Sequence, residues 1–201
     1  MALEQLLQQR PDIWRGVGLS APAPPGVPSG FSALDAELPG GGWPEGALSE
    51  ILSDGVGAFA LTLPVLARLS GQGRWLLLVA PPHVPYAPAL AGRGVDLGRL
   101  LLVRSGDEAG VLWAAEQGLR SGACAAVLAW AEPAERTALR RLQLAAGEGA
   151  ALAFLFRHEA AARHPSPAAL RLRVRPAAQG LEVRILKRRG GVAVRPLSLA
   201  V

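Results

Sequence analysis

Four continuous apolar runs, separated by stretches with helical spacing, constrain the fold of this chain more than any other feature. The runs span residues 75–80, 99–104, 124–130 and 150–156. Strands that are apolar on both faces are typical of parallel sheets covered by helices. Residues 86–92, 107–120 and 132–146 lie between or beside these runs and predict helices. The alternation predicts an α/β domain with a mainly parallel sheet flanked by helices.

The pattern changes after Arg157. Residues 170–175 and 181–186, and more weakly 192–199, alternate apolar and polar side chains. Alternation with a period of two predicts strands with one buried and one solvated face, here an antiparallel extension of the sheet at the C-terminal end. We expect the solvated face to carry Arg171, Arg173, Arg175 and Arg184, and a turn between strands to carry Lys187, Arg188 and Arg189.

Charge is concentrated in the same C-terminal segment. Residues 157–201 contain 10 basic and 2 acidic residues, whereas residues 1–156 contain 11 basic and 14 acidic residues. A segment this basic favours an anionic partner, with nucleic acid the first candidate. The seven basic residues named above are the candidate DNA contacts. The alternative is a compositional bias without function, because 20 of the 21 basic residues are Arg.

Proline divides the chain. Residues 1–10 predict a short helical arm, residues 11–28 a Pro-rich linker, and residues 29–201 the core domain. No apolar run approaches the ~20 residues that span a bilayer. The N-terminus lacks the basic-then-apolar order of a secretion signal. We therefore expect a cytoplasmic protein with no membrane partner.

A predicted strand, loop and helix over residues 47–69 stand where a P-loop protein binds nucleotide phosphates. The loop consists of Ser53, Asp54, Gly55, Val56, Gly57 and Ala58. It has no lysine, since Lys187 is the only one in the chain. Asp54 adds a negative charge, and each like-charge contact at about 4 Å costs roughly 4 kcal/mol at an effective dielectric constant of about 20.

The strand over residues 124–130 is also unsuited to nucleotide chemistry. It ends in Trp130 rather than in the Asp that holds magnesium in P-loop enzymes. No histidine lies close in sequence to Ser53 and Asp54, so nucleophile activation there is not expected. The sequence thus predicts a degenerate phosphate loop, no catalytic residues, no cofactor, no metal and no enzymatic activity.

Residues 29–35 (SGFSALD), 38–46 (LPGGGWPEG) and 48–51 (LSEI) resemble the segment that leads into the first core strand of RecA-family proteins. With its degenerate loop, the chain resembles the ImuA group of translesion-synthesis-associated proteins, which is related to the SulA-like division inhibitors. The resemblance implies a RecA-like three-layer α/β fold.

The same resemblance implies an accessory role in damage-induced mutagenic translesion synthesis. The implied partners are an ImuB-like inactive Y-family polymerase, RecA and an error-prone polymerase complex, with DNA as a further candidate. Two alternatives stay open. One is a SulA-like inhibitor that binds the tubulin-like division protein, and the other is an atypical RecA-family ATPase.

Overall fold

Eight strands form one mixed sheet in the computed structural model, which describes residues 24–132, 134–189 and 195–201. The order across the sheet is β3-β2-β4-β5-β1-β6-β7-β8. All neighbours from β3 to β6 are parallel, and β7 and β8 are each antiparallel to the strand before. The strands are β1 (Ala47–Leu52), β2 (Trp75–Val79), β3 (Leu100–Val103), β4 (Cys124–Trp130), β5 (Leu152–Arg157), β6 (Leu170–Ala177), β7 (Gly180–Lys187) and β8 (Leu197–Leu199).

In the described residues, helix α1 (Ser32–Asp35) precedes β1, and four α-helices connect strands: α2 (Leu63–Gly71), α3 (Ala87–Gly92), α4 (Glu108–Arg120) and α5 (Arg136–Gly149). Short 3₁₀ helices span Val56–Thr62, Leu97–Arg99 and Glu159–Arg163. Helix α2 begins at Leu63, so Pro64 lies in its first turn, where a missing N–H costs no hydrogen bond. Asp107 caps α4 by accepting from the Gly110 amide at 2.8 Å. Each helix in the described part of the chain is too short or too polar to span a bilayer.

Two hydrophobic clusters lie on opposite faces of the sheet. Helices α4 and α5 cover one face, where Leu119 and Leu139 pack against β2, β4 and β5. On the other face, α1 and α2 contribute Leu34 and Leu66. Helices on both faces confirm the α/β class with a mainly parallel sheet and an antiparallel part at the C-terminal end.

Three details differ from the sequence prediction. Strand β3 lies at a sheet edge with Leu101 and Leu102 exposed, although its apolar run predicts burial on both faces. Strand β6 is parallel to β1 and belongs to the parallel part of the sheet, so the antiparallel extension begins at β7. Helix α5 starts at Arg136 rather than at residue 132. Sequence periodicity reports local burial, not a strand's neighbour or direction.

The segment before β1 packs on the core. Val27 and Trp43 form an antiparallel bridge, and Trp43 is fully buried in edge-to-face contact with Phe154. Gly40 has φ +82°, and a Cβ on Gly42 would lie 2.3 Å from the Val27 carbonyl oxygen, so this turn requires glycine. The predicted linker thus joins the core by residue 26. The predicted arm over residues 1–10 and the linker up to residue 23 lie outside the described residues.

Candidate functional site

The loop after β1 turns back on itself where a P-loop would open around phosphate. The Gly55 amide donates to Ser53 Oγ at 3.2 Å, and the Ser53 amide donates to the Arg157 carbonyl at 2.9 Å. From Val56 the chain continues as a 3₁₀ helix instead of the α-helix whose N-terminus would attract an anion. Two loop amides are therefore already satisfied inside the protein.

Asp54 is bound by the segment that follows β5. Its Oδ1 accepts from the Glu159 amide at 3.1 Å and lies 3.1 Å from His158 Nε2. His158 Nδ1 accepts from the Ala160 amide at 3.1 Å, which places the ring proton on Nε2, facing Asp54. No histidine is close to Asp54 in sequence, but parallel pairing of β1 with β5 brings their carboxyl ends together and places His158 beside it. Asp54 thus ties the loop after β1 to the chain after β5.

Glu132, just beyond the carboxyl end of β4, is engaged by the chain after β5. Glu132, two residues beyond Trp130, accepts a hydrogen bond from the His158 amide. Desolvation, followed by the nearby charge of Glu132, raises the pKa of Glu108 at the start of α4. Within the described residues, no three His, Cys, Asp or Glu side chains are grouped so that they could hold a metal ion.

A cleft of about 740 Å³ opens at the carboxyl ends of β1, β2, β4 and β5. Three aromatic rings form part of its wall: Trp130 stacks on Phe156 at 4.6 Å between ring centroids, and Phe59 lies 5.8 Å from Trp130. Val84 and Tyr86, in the proline-rich loop after β2, line it while staying 64% and 72% exposed. Carboxyl ends of parallel strands are the usual binding edge of α/β sheets.

The charges that line this cleft balance. It contains the carboxylates of Asp54 and Glu132 and the guanidinium groups of Arg93 and Arg157. Arg157 is in turn paired with a buried carboxylate. A wall that is aromatic and close to neutral suits an apolar side chain better than a triphosphate.

Arg171, predicted as a solvent-facing DNA contact, is buried with 6% of its surface exposed. Its Nε lies 2.6 Å from Glu50 Oε2, and its Nη atoms donate to the carbonyls of His164 and Ala161 at 3.0 and 2.8 Å. The prediction was wrong because the chain after β5 folds over this part of the face and covers it. Arg171 is a structural residue.

Glu50 is the buried acid with which Arg171 pairs. It lies in β1 with 0% exposure, and its second oxygen accepts from Arg157 Nη1 at 2.9 Å. The strand register brings the three side chains together, because Glu50 is paired with Arg171 across β1 and β6, while Arg157 ends the neighbouring strand β5. A buried carboxylate needs such partners, because an isolated buried charge is far too costly.

Arg175 is exposed but engaged. Its Nε and Nη2 donate to both oxygens of Glu159, at 2.9 and 2.6 Å. The hydrogen bond from Arg175 is the main reason that the pKa of Glu159 is lowered, and the charge of Arg173 contributes less. The same carboxylate raises the pKa of Arg175.

The other predicted basic contacts divide into two groups. Lys187 donates to the Ser166 carbonyl at 2.8 Å, and burial lowers its pKa. Arg188 pairs with Glu37, which lies after α1. By contrast, Arg173, Arg184 and Arg189 form no ion pair and donate no side-chain hydrogen bond to any residue in the described ranges. The structure thus brings Arg173 and Arg184 together, opposite one another on β6 and β7.

Sequence reasoning missed Glu50, His158 and Glu159 as site residues. A usable signal existed for Glu50, since one acid inside an otherwise buried strand demands basic partners. No local signal existed for His158, because its contact with Asp54 joins residues more than 100 positions apart.

Comparison with known proteins places this chain in a family. A family model described as "Cell division inhibitor SulA" matches residues 46–153. Cell division inhibitor SulA of Pseudomonas aeruginosa is 37% identical over 109 residues, which is 52% of this chain and 68% of that protein. The crystal structure of that SulA superposes with a TM-score of 0.47 and 33% identity, over 55% of this chain and 97% of the other.

Protein ImuA of Caulobacter vibrioides is similar over a slightly longer stretch. It is 37% identical over 123 residues, or 58% of this chain. The chain spans half the length of that relative. The resemblance to both SulA and ImuA is thereby supported. Because the family model covers more than half of its residues, the chain belongs to the SulA family.

Proposed function

We propose that this chain is a non-catalytic accessory protein of the DNA-damage (SOS) response, with a RecA-like core that binds a partner protein. The partner we propose is an inactive Y-family polymerase of the ImuB type, in a translesion complex that includes RecA and an error-prone polymerase. The observation that carries the proposal is the closed loop after β1. Its amides are satisfied internally and its carboxylate holds His158 and Glu159.

Nucleotide binding tests the non-catalytic part of this proposal. Titration of ATP with magnesium into the protein, followed by calorimetry, should give no saturable heat, because Asp54 repels the phosphates and no lysine approaches the loop. A saturable, magnesium-dependent isotherm would contradict the proposal and favour the atypical ATPase.

The proposed binding surface is the aromatic cleft, with an apolar side chain of the polymerase homologue seated against Trp130 and Phe156. Exposed Val84 and Tyr86 at its rim support this, because aromatic anchors in desolvated pockets carry much of the energy of protein interfaces. The near-neutral lining favours such a segment over a polyanion.

A matched pair of variants tests this surface. Tyr86→Ala with Val84→Asp should reduce capture of the purified polymerase homologue at least about tenfold. Leu144→Asp changes an exposed residue on α5, outside the cleft, and should leave capture unchanged. If the wild type and both variants capture the polymerase homologue equally, the cleft is not the binding surface.

The SulA family match supports a second candidate, inhibition of the tubulin-like division protein. Overexpression in two hosts, one without and one with the polymerase homologue, separates the two functions: cell length is measured in the first and damage-induced mutagenesis in the second. Cell filamentation together with inhibited polymerisation of the purified division protein would establish the inhibitor. Normal cell length together with damage-induced mutagenesis that depends on the chain would establish the accessory role.

A further inference from the structure

Two arginines stand directly opposite one another on the outer part of the sheet. Arg173 of β6 pairs in register with Arg184 of β7. Side chains at opposed positions of an antiparallel pair have Cβ atoms about 4.5–5.5 Å apart, and like charges there repel. Both point away from the core, because the alternate positions Val174 and Val183 are fully buried.

The protein itself supplies little compensation for this repulsion. On the same face, Glu50 is used by Arg171, and Glu159 is used by Arg175. Across the sheet, the neighbour of Arg173 on β1 is Leu52. Glu182 stands opposite Arg175 rather than opposite either member of the pair. The pair thus concentrates positive charge at one position on this face of the sheet, where it can bind an external anion.

We propose that Arg173 and Arg184 bind adjacent phosphates of a DNA backbone. Guanidinium groups form bidentate, charge-assisted hydrogen bonds with phosphate oxygens. Arg189, two residues beyond the end of β7, is a further exposed arginine. Three arginines distributed over two strands and a turn suit a continuous polyanion, whereas an isolated anion would need only the pair. The proposal does not depend on the partner assigned to the cleft.

Fluorescence anisotropy with a labelled single-stranded oligonucleotide, and with a duplex of equal length, tests the site. The full chain should bind at low salt and weaken as salt rises. Replacing two phosphate contacts in R173Q/R184Q should reduce the slope of log affinity against log salt by about 2 and weaken binding about tenfold. Comparison of the affinities for the two oligonucleotides shows whether the site binds single-stranded or double-stranded DNA.

The matched control is R68Q/R74Q, which removes the same charge from two exposed arginines, one in the last turn of α2 and one directly before β2. R68Q/R74Q should retain wild-type affinity and slope. Thermal unfolding of R173Q/R184Q should occur at a temperature no lower than that of the wild type, because a repulsion is removed.

Equal losses of DNA affinity in both variants, or an unchanged slope in R173Q/R184Q, would overturn the proposal. So would an R173Q/R184Q variant that keeps its DNA affinity but no longer binds an acidic peptide, because the pair would then serve a protein partner. Intact DNA binding in the Tyr86/Val84 variant would separate this site from the cleft.

Discussion

At the scale of single residues, Glu50 organises the region between β5 and β6. It is the one charged residue of β1, and its two oxygens are divided between Arg157 and Arg171. Each arginine is nearly buried, so both guanidinium groups depend on the single carboxylate of Glu50, and the trio keeps one positive charge in excess. Buried pairs of this kind add little net stability compared with apolar packing, but breaking them is costly.

Glu50→Gln should therefore lower the free energy of unfolding by about 3–5 kcal/mol, because it leaves two buried guanidinium groups without a countercharge. Urea unfolding followed by circular dichroism measures this. Glu182→Gln, at an exposed position of β7, provides the control and should change stability by less than about 0.5 kcal/mol. Similar stability of the two variants would show that solvent reaches the arginines.

The Glu159–Arg175 pair predicts a dependence on pH. The pKa of Glu159 is lower in the folded protein than in the unfolded chain, so the ionised carboxylate stabilises the fold above the unfolded pKa. That contribution disappears as pH falls through the folded pKa. Thermal unfolding of the wild type and Glu159→Gln should differ at pH near 7 and converge in acid below the ordinary glutamate range. A difference that persists in acid would assign it to packing.

At the scale of elements, α4 and α5 approach closely at a glycine. A Cβ added to Gly149, the last residue of α5, would lie 1.8 Å from the Leu119 carbonyl oxygen in α4. Gly71 ends α2 in open space, with nothing within 4 Å of an added Cβ. The two helix ends thus provide a matched pair of positions with opposite packing.

Gly149→Ala should destabilise the fold by about 1–3 kcal/mol, since backbone must move to admit the methyl group. Gly71→Ala should be neutral or stabilise by up to about 1 kcal/mol, because alanine favours helix. Midpoints of chemical unfolding for both variants check the prediction. A stable Gly149→Ala would mean that α5 can shift without loss of its contacts with α4.

The same elements show what the sequence could and could not reveal. The apolar runs that became β2, β4 and β5 are continuous, so burial on both faces was predictable from them. Strand β3 has an identical pattern yet lies at an edge, and β6 alternates yet runs parallel to β1. Neighbour and direction are set by long-range pairing, which local periodicity does not encode.

The candidate site was predictable in part for the same reason. The missing lysine and Asp54 were visible in the loop itself. The partners of Asp54 come from the chain after β5, and the cover over Arg171 comes from residues 159–164. Only assembly of the sheet brings these groups together.

At the scale of the whole molecule, strands β6 and β7 contribute buried side chains to the hydrophobic core. Leu172, Val174, Val183 and Ile185 belong to the same hydrophobic cluster as α1 and α2. The family match ends at residue 153, so these strands lie beyond it. They cover apolar surface of β1 that would otherwise meet water.

A chain from which residues 170–201 are removed should accordingly lose its cooperative thermal transition, because part of this cluster and a partner of Glu50 are removed. Calorimetry and circular dichroism detect the loss. Removal of Ala200 and Val201 alone, both exposed, should leave the transition in place. A sharp transition in the longer truncation would show that β1 can serve as a free edge.

The salt bridge of Glu50 also limits how pieces of related proteins can be exchanged. The acid lies inside the segment shared with the family, whereas both of its arginines follow residue 153. A chimaera joined at residue 153 would take Glu50 from one parent and the segment after residue 153 from the other, so Glu50 would be separated from Arg157 and Arg171. Functional swaps between homologues therefore need their junction outside this trio, so that the acceptor Glu50 and its two donor arginines come from the same parent.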